Sequence, residues 1–255
     1  MSADALDLLA WPFLAGLLVL ATHVPLGRRV LARGIIFLDL AVAQLAVLGV
    51  IAAHAFDLAG GAVATQLAAA TAALAGALLL AACERRWPDL QEALIGSAFV
   101  VAASLAVLLL AGDPHGGEHL AELLTGQILW ASPQQVGGIA ALYALLLAVL
   151  AWRGARLGTY GFYIVFALAI TASVQLVGVY LVFASLILPA LAVRHLAAPA
   201  ALAAGWLLGA AGYAASLALS LARDWPAGPA VVIALASVAL LAANTRKVAG
   251  NPRRR

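Results

Sequence analysis

Cysteine occurs once and methionine once in the 255 residues, and charged side chains make up only 10% of the chain. The single thiol, Cys83, allows no intrachain disulfide and no cysteine metal cluster. It reads as a small packed apolar residue. The motifs of soluble chemistry are missing too: no G-x-x-x-x-G-K-[ST] phosphate loop, no G-x-S-x-G elbow and no H-E-x-x-H pair. If nucleotide hydrolysis powers this protein, the engine sits on another polypeptide. Within the apolar spans no nucleophile–base pair or paired carboxylates stand at helical spacing, so an intramembrane enzyme is disfavoured.

What is present is hydrocarbon. Hydrophobic residues form 65% of the chain, in successive apolar runs long enough to cross a bilayer as helices. The sequence predicts an all-α, polytopic transmembrane bundle, one domain over 1–255. Its spans lie near 8–27, 35–56, 62–83, 91–111, 136–152, 161–177, 178–195, 199–222 and 227–244. The count is eight or nine, depending on a broken or re-entrant segment near 171–180. The opening stretch carries Asp4 and Asp7 where a secretory signal carries positive charge, and it is expected to be a retained span. Alanine and glycine are abundant, as helices that must approach closely in lipid require.

The formal charge of +3 is no nucleic-acid footprint, because its placement alternates. Arg28, Arg29, Arg33, Arg85, Arg86, Arg153, Arg156, Arg194, Arg246, Lys247 and Arg253 to Arg255 follow alternate spans. Asp57, the Asp113 to Glu122 segment and Asp224 fall mostly in the loops between. By the positive-inside rule the arginine loops and the C-terminus are cytoplasmic, and the N-terminus is outside.

One segment is too long for a single pass. "GFYIVFALAITASVQLVGVYLVFASLILPALAV" would extend about 50 Å as a straight helix, against about 30 Å of hydrocarbon. Arg156 before it and Arg194 after it belong on the same side. The chain must turn within it, around Ser173 to Gly178, and such a turn at depth needs shielding by protein or a wet cavity. Its polar residues Thr171, Ser173 and Gln175 fit either a translocation cavity or contacts between helices.

Two further groups stand out. Asp39 and Gln44 lie inside the second span with His54 near its outer end, and a helix allows all three on one broad face. They line a pathway, or Asp39 neutralises Arg33, Gln44 bonds a neighbouring helix and His54 sits at the interface. The outer segment "DPHGGEHLAE" gathers Asp113, His115, Glu118, His119 and Glu122. A short helix after Gly117 would set Glu118 and Glu122 at i and i+4, and His119 and Glu122 at i and i+3. Imidazole with carboxylate suits zinc, manganese or ferrous iron; Asp-Pro and Gly-Gly also mark an ordinary turn.

Taken in order, several strings resemble the permeases of bacterial zinc/manganese ABC transporters, the ABC-3 family. The long segment just quoted, followed by "DWPAGPAVVIALASVALL", is similar to the family's "VVGALLITSLLIIPAA" and "D-x-P-[ST]-G-P". "LLTGQILWASPQQV" resembles its "LLFGDILAVTPEDL", and "LARGIIFLDLAVAQLAVLGV" its "RRMSYFGDALSHAALPGV". The resemblance implies a bacterial cytoplasmic (inner) membrane importer of two permease copies, expected as a homodimer, with two cytoplasmic ATPases and an extracytoplasmic metal-binding protein. By this resemblance no cofactor is expected in the chain itself, and zinc first, manganese second, is the expected cargo, moved by alternating access.

Two departures accompany it. With Gly49 set on the family's glycine, Gln44 replaces a histidine, Leu40 an aspartate, and Asp39 is shifted by one. The stretch expected to dock the ATPase is shortened to "WRGARLGTYGF", leaving Arg153 and Arg156 as coupling candidates. The expected translocation path is Asp39, Gln44, His54 and Gln175, with His115, Glu118, His119 and Glu122 as an outer metal site. The alternatives are an ABC permease for a non-metal cargo and an ion-gradient-driven secondary transporter.

Overall fold

The structure, a computed structural model, describes residues 3–58, 60–153 and 156–249. The side chains of Asp4, Asp7, Arg246, Lys247 and Arg253 to Arg255 lie outside the described residues. Helices follow one another as α1 (Ala3–Arg33), α2 (Leu38–Ala55), α3 (Ala62–Arg86), α4 (Gln91–Leu110), α5 (Gly116–Thr125), α6 (Pro133–Arg153), α7 (Thr159–Ala192), α8 (Ala198–Arg223) and α9 (Ala227–Ala249). Among the described residues there is no strand. Among the described residues seven helices are long and apolar enough to cross a membrane, and α9 adds a shorter apolar stretch over Ala227–Ala242.

Burial sorts the helices into layers. The most apolar window of α7 is 72% buried, whereas that of α4 is 17% buried. Apolar residues surround α7 because protein surrounds it; α4 turns Val100, Val101, Leu105 and Leu108 outward, a surface suited to lipid. Helices α1 and α2 pack beside α7, while α3, α6 and α8 complete the perimeter.

The arginines meet at one end. Arg33 lies 4.0 Å from Glu84 and 4.1 Å above the Phe162 ring, and Arg85 is 5.5 Å from the Tyr160 ring. Arg28 donates to the Ala198 carbonyl at 2.9 Å. This arginine end contrasts with an acidic end that carries α5. Helix α1 outlasts its expected span, continuing through Pro25 and Gly27 to Arg33. A Cβ on Gly27 would collide with the Leu186 carbonyl, so the residue permits close contact there.

That contact shows how α7 runs. Phe162 meets Arg33, and Ser173 meets His23, so the first half climbs α1 away from the arginine end. A straight continuation would carry Leu186 about 20 Å past Ser173. Leu186 instead lies against Gly27, about 6 Å back along α1 toward the arginine end. The reversal is at Gly178, with φ 78° and ψ 164°. The two expected passes, 161–177 and 178–195, are therefore two halves of one broken element.

Backbone packing shields this turn. A Cβ on Gly178 would stand 2.3 Å from the Gly126 nitrogen, and one on Gly228 would stand 2.3 Å from the Thr125 carbonyl oxygen. The end of α5, the turn of α7 and the start of α9 thus meet at the acidic end. Helix α6 starts there with a capping box: the Gln135 N–H donates to Ser132 Oγ at 3.3 Å, and the Ser132 N–H to Gln135 Oε1 at 3.0 Å.

Candidate functional site

Helix α5 forms because a tight turn launches it. Asp113 Oδ1 accepts the His115 N–H at 2.9 Å, and the Asp113 carbonyl accepts the Gly116 N–H at 3.0 Å. The helix then presents His119 and Glu122 to the outer end of α2. Together with His54 and Asp113 they line a cleft of about 460 Å³, floored by Val50, Ile51 and Leu110. His119 Nδ1 lies 3.2 Å from Asp113 Oδ2, so the aspartate can orient the ring.

The expected outer quartet is therefore divided. His115 and Glu118 pair with each other at 3.6 Å, with side chains 71% and 85% exposed, and do not line this cleft. His119 and Glu122 belong instead with His54, which sequence spacing had grouped with Asp39 and Gln44. Among the described residues no three histidine, cysteine or acidic side chains form a group that could hold a metal ion. Among the described residues the close pair in this cleft is His119 with Asp113.

Glu122 and Leu123 also line a second cleft, about 220 Å³, with Gln127, Gln135 and Gln175. Gln135, Gln175 and Leu176 continue into a third, about 320 Å³, with Gln66 and Gln134. Gln175 is exposed while its neighbours Val174 and Leu176 are buried. It lines the second and third clefts.

Asp39 and Gln44 do not. They are 1% and 2% exposed, and none of these clefts reaches them. Arg33 pairs with Glu84, leaving both Asp39 carboxylate oxygens without a hydrogen-bond partner among the described residues. The single polar face over Asp39, Gln44 and His54 is thus absent: packing against α3, α4 and α7 encloses the inner part of α2 and leaves its outer tip open.

The profile of the ABC 3 transport family matches residues 5–160 and 154–246. The chain belongs to the ABC 3 transport family. Its role is that of a membrane-embedded permease subunit. The solved structure of PsaBC from Streptococcus pneumoniae in complex with Fab matches with a TM-score of 0.78 at 18% identity, covering 98% of this chain and 100% of that one. At that identity the likeness establishes the fold. No curated protein matches.

Two features of this ABC 3 permease escaped the sequence reading. His23 is fully buried, with Thr22 Oγ1 3.0 Å from its Nδ1 and Ser173 Oγ 3.1 Å from its Nε2. Tyr143 stands beside it and donates to the Ala169 carbonyl at 3.0 Å. These contacts tie α1, α6 and the first half of α7 together below the break. The signal was available: a histidine inside an apolar run merits the scrutiny given to Asp39. At the arginine end, Gln91 donates to Tyr163 Oη at 2.6 Å, and Glu92 accepts the Ile36 N–H at 2.7 Å. Arg153 stacks on Trp152 with 5.1 Å to the ring centroid. Both Arg153 and Arg156 are exposed.

Proposed function

We propose that this permease subunit serves an ABC importer for a divalent transition metal, zinc first and manganese second, in a bacterial cytoplasmic membrane. The arginine end and the C-terminus face the cytoplasm, and the N-terminus faces outside. The observation that carries the metal reading is the outer cleft: two imidazoles, His54 and His119, accompany Asp113 and Glu122 in one pocket. This donor set suits zinc, with manganese and ferrous iron as competitors.

The open cleft receives metal from an extracytoplasmic binding protein. Closure of α5 toward α2 draws His119 and Glu122 onto the ion beside His54. Because α5 ends against the turn of α7, its displacement bears directly on the broken helix. A second permease copy completes the route, and a cytoplasmic ATPase supplies the energy. Arg153 and Arg156, exposed beside the shortened loop, are its contact residues. The combined His54→Ala and His119→Ala variant is expected to lose metal accumulation at limiting supply while still assembling with the ATPase. Undiminished accumulation refutes the pocket's role; assembly without any ATPase in the native complex refutes the ABC mechanism.

A further inference from the structure

The glutamine-lined clefts do a different chemical job from the histidine pocket. The pocket offers nitrogen and carboxylate donors. Beyond Glu122 the polar lining changes to the amides of Gln66, Gln127, Gln134 and Gln175. Gln135 lines the same surface, but its carbonyl is already engaged by Ser132 in the capping box. No histidine or cysteine lines either of these two clefts.

We propose that these clefts form an oxygen-only second station for the transported divalent cation, loaded from the histidine pocket by way of Glu122. This inference rests on the metal reading given above and adds a step to it. Gln175 is the central residue because it lines both amide clefts, and it lies three residues before the break at Gly178. Lipid is a poor cover for a surface with so many amides, since hydrocarbon satisfies none of their hydrogen-bonding groups. Water and the cation's hydration shell satisfy them.

The sequence of donors has a kinetic logic. Imidazole and carboxylate capture an ion tightly from a dilute supply. An ion held as firmly at every later position would never leave, and passage requires binding weak enough for release. Amide carbonyls are neutral oxygen donors, which favour a cation that keeps part of its water. Glu122 touches both environments and retains a charged oxygen during the handover.

The lone cysteine makes the test direct. In a Cys83→Ala background, Gln175→Cys is assembled with its ATPase in membrane vesicles and treated with a charged, membrane-impermeant thiol reagent. Gln134→Cys, at the exposed start of α6, provides a second position. Both thiols are expected to react, and manganese, which prefers oxygen donors to a thiolate, is expected at tenfold its dissociation constant to slow labelling of the Gln134→Cys protein, which keeps Gln175, about tenfold. Failure of both thiols to react means that the clefts are not wet and overturns the proposal. Gln134→Cys labelling that manganese does not slow shows water without a cation site, and also overturns it. Metal uptake by the Cys83→Ala parent, measured in the same vesicles, tests the metal reading separately. Finally, Gln175→His adds an imidazole: it is expected to retain more zinc per chain and release it more slowly than the parent. Release at the parental rate contradicts the need for a weakly binding station.

Discussion

Gly178→Ala examines the turn on which the architecture depends. At φ 78° and ψ 164°, the backbone occupies a region open essentially to glycine, and forcing another residue there costs about 1–3 kcal/mol. The added Cβ would also stand 2.3 Å from the Gly126 nitrogen and 2.6 Å from the Thr125 carbonyl carbon. Both are backbone atoms, so no flexible side chain can move aside, and the required shift adds about 1–3 kcal/mol. The combined loss of about 2–6 kcal/mol corresponds to a fall of roughly 4–24 °C in melting temperature for a chain of this size. Thermal unfolding of the purified protein in detergent, followed by size-exclusion chromatography, reads it. Gly137→Ala and Gly138→Ala are the controls: a Cβ at either position meets nothing within 4 Å, and each should gain about 0.5–1 kcal/mol in the helix. A Gly178→Ala protein that melts at or above the parental temperature refutes a turn at this residue.

Ser185 Oγ and Tyr213 Oη lie 2.7 Å apart in the core, so Ser185→Ala strands a buried hydroxyl and should cost about 1–3 kcal/mol in thermal unfolding, with part of it recovered when Tyr213→Phe is added. Asp39→Ala removes a buried carboxyl whose oxygens have no hydrogen-bond partner among the described residues; stability should rise by about 1 kcal/mol, and a lower melting temperature would expose a supporting interaction. Arg153→Glu with Arg156→Glu changes two exposed positions, so melting should shift by less than about 0.5 kcal/mol while ATPase activity in the assembled complex loses its response to transport. Unchanged coupling would remove these arginines from the contact.

Much of the fold follows from elementary counts. Hydropathy marks the spans, and arginine placement with the length of the 161–193 stretch requires a reversal near Gly178. Helical spacing likewise anticipates α5 and its His119–Glu122 face. Orientation within the bundle is harder. Apolar residues cover nearly all sides of α2, so its sequence cannot distinguish the packed side carrying Asp39 and Gln44 from the open tip carrying His54. The meeting of His54 with Asp113, His119 and Glu122 depends on the crossing of α2, α4 and α5, which has no local signature. His23 illustrates the opposite case: the chain displays it plainly, but only the fold reveals Ser173 and Tyr143 as its neighbours.

Zinc titration of the purified permease–ATPase complex, comparing the parent with His54→Ala and His119→Ala, tests the central claim most directly. The account predicts a zinc site in the parent that weakens by at least about tenfold in each variant, since loss of even an outer-shell partner weakens metal binding by about 10–100-fold. Equal zinc affinity in all three proteins would contradict it.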